Sequence, residues 1–561
     1  MLKTRAGSAK SSFLRIAKET GIQDAVSMVR ILYLFALCLF FHPVFAEPVS
    51  RPNVVLLVAD DLGYGDIESF GGDFCNIDTP HFDQLCADGI KFTDAHVTDS
   101  VCIPSRVSMM TGRYALRYER PKGGGPWGFL GPQFSPDRFT LGDLMKRAGY
   151  TTGYVGKWHL GTGMATKGGA VQSDETVDFT KPLLTGPNDF GFDETFILPG
   201  SLDMPPYAFL RNGDWVGSVT AEKGWSAFNR LGPASEDFVD HEVLPRFCEE
   251  ADRFIGGQAA RDEPFFLFVG LTAPHTPTSP EPEFLGKSRI GIYGDFVMNT
   301  DACIGRIREA LARHGVEGET LFIATSDHGP GHYSGRKYEA TAFQAEEMHK
   351  DGHHANGPWR GYKFSALEGG HRVPFAAAWP GVIEGGGVCE EMISTIDLMA
   401  TLAEVTGQAL SDEEGPDSIS FLPLLKDPET APTRTSLIAS GSTAHSYRKG
   451  DWKLIVGPGS GSNGRFASRP DSNSAWKAAV ESFGKKPENH DELKRTPFVQ
   501  LYHLPTDPTE SKDLAGKEAD RLAAMLGDLE ALLNRGRSTP GEPLSNDTEM
   551  KLFRSVPKFV W

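Results

Sequence analysis

The sequence predicts an α/β protein: a mostly parallel central sheet flanked by helices, with a smaller α+β domain at its C-terminal end. Three observations predict it. Asn53 to Ala59, Pro264 to Gly270 and Thr320 to Thr325 are unbroken apolar runs of strand length, the pattern of strands buried on both faces. Helical patterns such as Phe296 to His314 lie between them, and strands alternating with helices wind a parallel sheet. After Leu425 the pattern changes to short strands and one amphipathic helix.

Taken in order, the chain opens on a targeting pattern. Lys3, Arg5, Lys10, Arg15, Lys18 and Arg30 precede an apolar run from Ile31 to Phe41, and Val44-Phe45-Ala46 stands before Glu47 as a cleavage site does. Residues 1–46 read as a secretory signal, with Met28 as an alternative start and a retained anchor as the rival reading. The run is short for a transmembrane helix. The expected mature chain is secreted or periplasmic, with no stable transmembrane span.

The first strand ends in Asp60-Asp61-Leu62-Gly63. Adjacent carboxylates repel each other unless a cation binds, and hard oxygen ligands favour calcium or magnesium over zinc. The second run ends near His275, and the third ends in Ser326-Asp327-His328-Gly329. In open α/β sheets ligands gather beyond the carboxyl ends of strands, so these three ends predict one site.

Gly161 to Arg230 is rich in Gly and Pro with little periodicity, and is expected as loops over the site mouth. The polar stretch Tyr333 to Trp359 is expected as a solvated loop. His332, His349, His353, His354 and His371 cluster in and around it; His349 and His353, four apart, offer a zinc-binding alternative that no motif supports. Trp452 to Val456 and Phe498 to Tyr502 are short strands. Gly457 to Gly464 is a mobile loop. Glu518 to Asn534 is a helix with Leu522, Met525, Leu529 and Leu532 on one face. The expected domains are 47–430 and 431–561.

The 561 residues carry a net charge of −18, which disfavours nucleic acid as a partner. An anionic substrate must then be drawn in by a local basic site. Of seven cysteines, Cys38 leaves with the signal. Setting Cys102 aside, Cys75, Cys86, Cys248, Cys303 and Cys389 permit at most two disulfides or stay reduced.

Cys102-Ile103-Pro104-Ser105-Arg106, followed by Thr111-Gly112-Arg113, resembles the signature of the sulfatase family. Further motifs follow in the family's order. They are Asp60-Asp61, Gly153 to Gly161 with Lys157 and His159, Ala273-Pro274-His275, Ser326 to Gly329, Gly361-Tyr362-Lys363, and Glu368 to Pro374. The resemblance covers about Arg51 to Asp513.

The resemblance implies an alkaline-phosphatase-like α/β domain and sulfate-ester hydrolysis. It implies that a maturation enzyme oxidises Cys102 to formylglycine, whose hydrate offers two hydroxyls on one carbon. One attacks sulfur, and collapse of the other expels sulfate. It implies a Ca2+ ion, with magnesium less favoured, held by Asp60, Asp61, Cys102, Asp327 and His328. Many members carry Asn in place of His328. Arg106 orients the formylglycine, and Lys157 and Lys363 bind sulfate oxygens. His275 is general acid to the leaving alcohol, and His159 takes a proton from the second hydroxyl. The expected substrate is a sulfated carbohydrate, with Ser201 to Tyr207 as a recognition loop whose Asp203 and Tyr207 hydrogen-bond sugar hydroxyls. The rival readings are a phosphonate monoesterase or phosphodiesterase of the same superfamily, and a catalytically silent carbohydrate-binding protein.

Overall fold

The computed structural model describes residues 51–119, 124–225, 228–261, 263–335, 344–457, 460 and 499–552. The targeting pattern, and most of the Gly457 to Gly464 loop, lie outside them. Residues 52–561 form one compact unit. Among the described residues no helix is long and apolar enough to cross a membrane.

The strands are β1 (Asn53–Asp60), β2 (Ile90–Phe92), β3 (Ala95–His96), β4 (Thr151–Lys157), β5 (Glu194–Leu198), β6 (Leu210–Arg211), β7 (Asp214–Trp215), β8 (Ala221–Lys223), β9 (Gly232–Ala234), β10 (Phe265–Pro274), β11 (Thr320–Ser326), β12 (Phe375–Ala378), β13 (Gly387–Cys389), β14 (Ile393–Ser394), β15 (Ser436–Ser440), β16 (His445–Lys449), β17 (Trp452–Val456) and β18 (Val499–His503). Ten of them make the central sheet, in the order β13-β2-β12-β11-β1-β10-β4-β5-β6-β7. Its middle, β11-β1-β10-β4-β5, is parallel throughout.

The three apolar runs become β1, β10 and β11, side by side at the centre. Side chains along β1 alternate between two cores. Val55, Leu57 and Ala59 join the helices Val243–Ala259 and Ile292–Arg313 on one face. Val54, Leu56 and Val58 join Cys102–Thr111, Leu141–Arg147 and Leu398–Val405 on the other. The backbones of β4 and β10 approach closely where two glycines pair: a Cβ on Gly156, whose φ is +115°, would lie 1.9 Å from the Gly270 carbonyl oxygen.

Two expectations are corrected. Gly161 to Arg230 is not all loop. Its Glu-Thr-Phe-Ile-Leu run is too short to show a period, yet β5 completes the parallel set, and β6 and β7 extend the edge. The polar Tyr333 to Trp359 stretch is not a solvated loop where it is described. Gln344, Ala345, Met348 and His353 are buried, because its polar groups bond inward. His353 Nε2 lies 3.0 Å from Asp66, and His349 Nε2 lies 3.0 Å from the Tyr362 hydroxyl. Among the described residues no cluster of potential metal ligands includes His349 or His353. The six described cysteines are all free thiols.

β15 to β18 form an antiparallel sheet. The helix Ala519–Arg535 covers it, burying Met525, Leu529 and Leu533; Leu522 and Leu532, expected on that face, are only partly buried. This third core also takes in Tyr114, Met392 and Ile396 from the main sheet's side.

Candidate active site

Strand register brings the polar ends together. Asp60 pairs across from Pro274, Ala59 from Ser326, and Lys157 closes β4. Asp60, Asp61, Lys157, His275, Asp327 and His328 therefore project from one edge of the parallel set, the place expected for a ligand.

Cys102 is the first residue of the helix Cys102–Thr111, 3 % exposed. A helix start favours negative charge, and the helix places Arg106 one turn on, on the same face. The Cys102 sulfur lies 3.1 Å from His328 Nε2, 3.4 Å from Lys363 Nζ and 3.6 Å from Asp60 Oδ1. Asp60, Asp61, Cys102 and His328 each offer an atom within 4.8 Å of the others.

Each carboxylate has its own cation. Lys157 Nζ donates to Asp60 at 2.6 Å, and Lys363 Nζ to Asp61 at 2.6 Å. Burial pushes both acids up, but these lysines and their neighbours outweigh it, and both are held below the carboxylate range. Both lysines rise in turn, against the pull of burial. Tyr333 also donates to Asp61, at 3.0 Å.

Asp327 sits at the margin. Its Oδ1 accepts the Asp61 N–H at 3.2 Å and lies 3.5 Å from His328 Nε2; its Oδ2 accepts from Arg106 Nε at 2.9 Å. Arg106 Nη2 is buried with no hydrogen-bond partner. Two carboxylates, one imidazole and the Cys102 sulfur make the close group, with the Asp327 carboxylate at its margin. The carboxylate oxygens suit a hard cation, and the His328 Nδ1 lies 2.9 Å from the Gly329 carbonyl while its Nε2 faces the group. Burial pushes the His328 ring down, but Asp327 and Cys102 outweigh it and raise it to about 9.

His159 behaves oppositely. Burial and Lys157 hold its ring well below the ordinary imidazole range. Its Nδ1 has no hydrogen-bond partner. His275 Nδ1 lies 2.6 Å from the Thr276 carbonyl, and its Nε2 is 3.9 Å from Asp61.

A cavity of about 730 Å3 opens above these groups. Cys102, His159, Asp203, His275 and Lys363 line it, as do Trp127, Met204, Phe228, Arg230, Tyr333 and Phe364. That apolar and aromatic wall was not foreseen, because its residues come singly from segments without periodicity. Asp203 reaches the cavity, buried and paired with Arg230. Tyr207 does not serve as expected: it is fully buried, and its hydroxyl donates to the Arg230 carbonyl at 2.6 Å. Among the described residues six non-glycines have φ in the left-handed region, and four of them, Asp61, Trp127, His159 and Phe364, belong to this site. Such strain persists where surrounding packing over-determines it.

A family model described as Sulfatase matches residues 52–408. The chain is 30 % identical to an N-acetylgalactosamine-6-O-sulfatase of Bacteroides thetaiotaomicron over 527 residues, 87 % of this chain and 94 % of that protein. It is 27 % identical to the N-acetylgalactosamine-6-sulfatase of Rattus norvegicus over 517 residues, 90 % of each. A solved structure from work on the metabolism of multiple glycosaminoglycans by Bacteroides thetaiotaomicron superposes with a TM-score of 0.70 at 28 % identity, covering 86 % of this chain and 99 % of that one.

Proposed function

The chain belongs to the sulfatase family and is a sulfuric ester hydrolase; from that premise we propose that it removes sulfate from a sulfated carbohydrate, using formylglycine made from Cys102 and a calcium ion. One observation carries the reading: Cys102 meets Lys363, His328 and Asp60 at the floor of a cavity large enough for a sugar. Relatives named for N-acetylgalactosamine 6-sulfate esters support the sugar. The charged and then apolar N-terminal segment supports export, and the Cys-x-Pro-x-Arg pattern supports a dedicated maturation enzyme as a partner.

Lys157 and Lys363 bind the sulfate oxygens and offset charge as it grows on the leaving group. Arg106, anchored on Asp327, orients the group at position 102. His275, its Nδ1 tied to the Thr276 carbonyl, gives a proton from Nε2 to the departing alcohol oxygen. His159, whose Nδ1 has no hydrogen-bond partner, accepts a proton as sulfate is released. Asp203 accepts a hydroxyl of the sugar. Formylglycine at position 102 would supply, as its hydrate, two hydroxyls on one carbon, one to act as nucleophile and one to allow release of sulfate. Asp60, Asp61, Asp327, His328 and the group at position 102 would hold a calcium ion, which would supply positive charge to the site.

Two measurements on protein from its native host test this. The intact mass of the tryptic peptide spanning Cys102 should show the change from CH2SH to CHO. Ion chromatography should show sulfate released from 6-O-sulfated N-acetylgalactosamine. An unmodified thiol in active enzyme would remove the nucleophile, and faster turnover of an aryl phosphate diester than of an aryl sulfate would reassign the substrate to phosphorus.

A further inference from the structure

The wall of the cavity differs in kind from its floor. The floor gathers buried cations and carboxylates. The wall is led by Trp127, whose φ of +59° is rare for an aromatic residue and which remains 43 % exposed. Its neighbour Gly128 fixes the approach: a Cβ there would lie 2.5 Å from the Pro205 carbonyl oxygen. The indole is thereby set against the segment that carries Asp203.

Arg230 covers part of that indole, its guanidinium carbon 3.7 Å from the ring centroid. Arg230 donates in turn to the Asp203 carbonyl at 2.9 Å and to Asp203 Oδ2. This has two consequences. The arginine's charge is matched by its carboxylate, so the pair is close to neutral and offers no free cation to a second anionic group. Asp203 Oδ1 is left buried with no hydrogen-bond partner while lining the cavity, 3.9 Å from His275 Nδ1. A buried acceptor without a donor is costly, and a ligand hydroxyl relieves that cost.

An exposed aromatic surface beside an unmet acceptor, on a wall of balanced charge, fits a neutral polyhydroxylated ring with an apolar C–H face. We propose that Trp127 and Asp203 form the subsite for the pyranose ring that carries the scissile ester: the indole stacks on the ring's C–H face, and Asp203 Oδ1 accepts one of its hydroxyls. Arg230 positions both. This deepens the sugar-sulfate reading and rests on it.

The test is steady-state kinetics on 6-O-sulfated N-acetylgalactosamine, with inorganic sulfate as a competitive inhibitor that reports on the floor alone. Trp127→Ala is expected to raise KM for the sugar about tenfold, and Trp127→Phe less than about threefold, because a smaller ring still stacks. The inhibition constant for inorganic sulfate should move less than about twofold in both. An unmoved KM in Trp127→Ala would overturn the proposal. So would a KM and an inhibition constant that rise together, because Trp127 would then be shaping the sulfate end. Wild-type enzyme that cleaves 4-nitrophenyl sulfate but not the sugar would defeat the sugar reading and this subsite with it. Wild-type enzyme inert on both would defeat the enzymatic assignment itself.

Discussion

Lys157 and Asp60 are both fully buried and hold each other's charge. Removing one partner of such a pair leaves an uncompensated buried charge, at a cost of about 3–5 kcal/mol. Lys157→Ala should therefore lose stability mainly when no cation neutralises Asp60. Its melting temperature should fall sharply on chelation, further than that of the wild type, and recover with calcium; equal falls in both proteins would separate Lys157 from the carboxylate group. The same variant should lose about 100- to 1,000-fold in kcat, the scale of one lost transition-state donor. Position in the sequence foretold Asp60 because it stands just past the end of an apolar run, where polarity is otherwise unexplained; Lys157 was legible only through the family motif Gly153 to Gly161. No comparable cue marks Trp127 or Arg230. Their roles come from strained backbone and from a contact across loops, and neither leaves a period in the sequence.

At the scale of elements, the short helix Glu368–His371 is clamped between β3 and the C-terminal sheet. Glu368 lies 2.9 Å from His96 Nε2, accepts from Lys453 at 2.9 Å, and pairs with Arg372. Asp94 pairs with Arg372 and Arg448, and Lys453 also reaches Glu510 at 2.8 Å. Asp94, His96 and Glu368 have the makings of a metal site, but three cations already occupy their charge. The lysine-bearing stretch was legible as a motif; this network was not, since Asp94 and Arg448 are 354 positions apart. Burial pushes Asp94 and Glu368 up, yet Arg372 and Arg448 for the first, and Lys453, His96 and Arg372 for the second, leave both below the carboxylate range. A depressed acid contributes stability that is present above its unfolded value and lost as pH falls through its folded value. Stability should thus hold near neutrality and decline below about pH 4, and Asp94→Asn should flatten that decline in denaturant titrations. Lys453→Ala, which leaves Glu368 and Glu510 facing each other, should cost about 3–5 kcal/mol in the same assay.

At the scale of the molecule, the change of pattern after Leu425 was readable as a change of architecture, but its dependence on the first part of the chain was not. The third core mixes Tyr114, Met392 and Ile396 with Leu437, Leu454, Leu501 and Leu529. Arg117, fully buried, spans Asp417 and the Leu533 carbonyl. A chain ending at residue 430 should accordingly be insoluble, or cleaved rapidly at sites the full-length protein protects; a soluble, protease-resistant and active fragment would contradict this. Contacts that join distant parts of a chain leave no local trace, which is why the two regions read as separable.

The β15 strand has one more effect, on timing. Ser440 closes the turn before Cys102: its N–H donates to the Thr98 carbonyl, and its own carbonyl accepts the Ser100 N–H at 3.0 Å. Ser100 and Ser440 are 340 positions apart. At about 5–20 residues per second, that length of chain takes roughly 20–70 s to synthesise. Throughout that interval the segment bearing Cys102 has been made and its closing strand has not. On the proposed function, that interval is when a maturation enzyme would reach Cys102, before β15 closes the turn beside it.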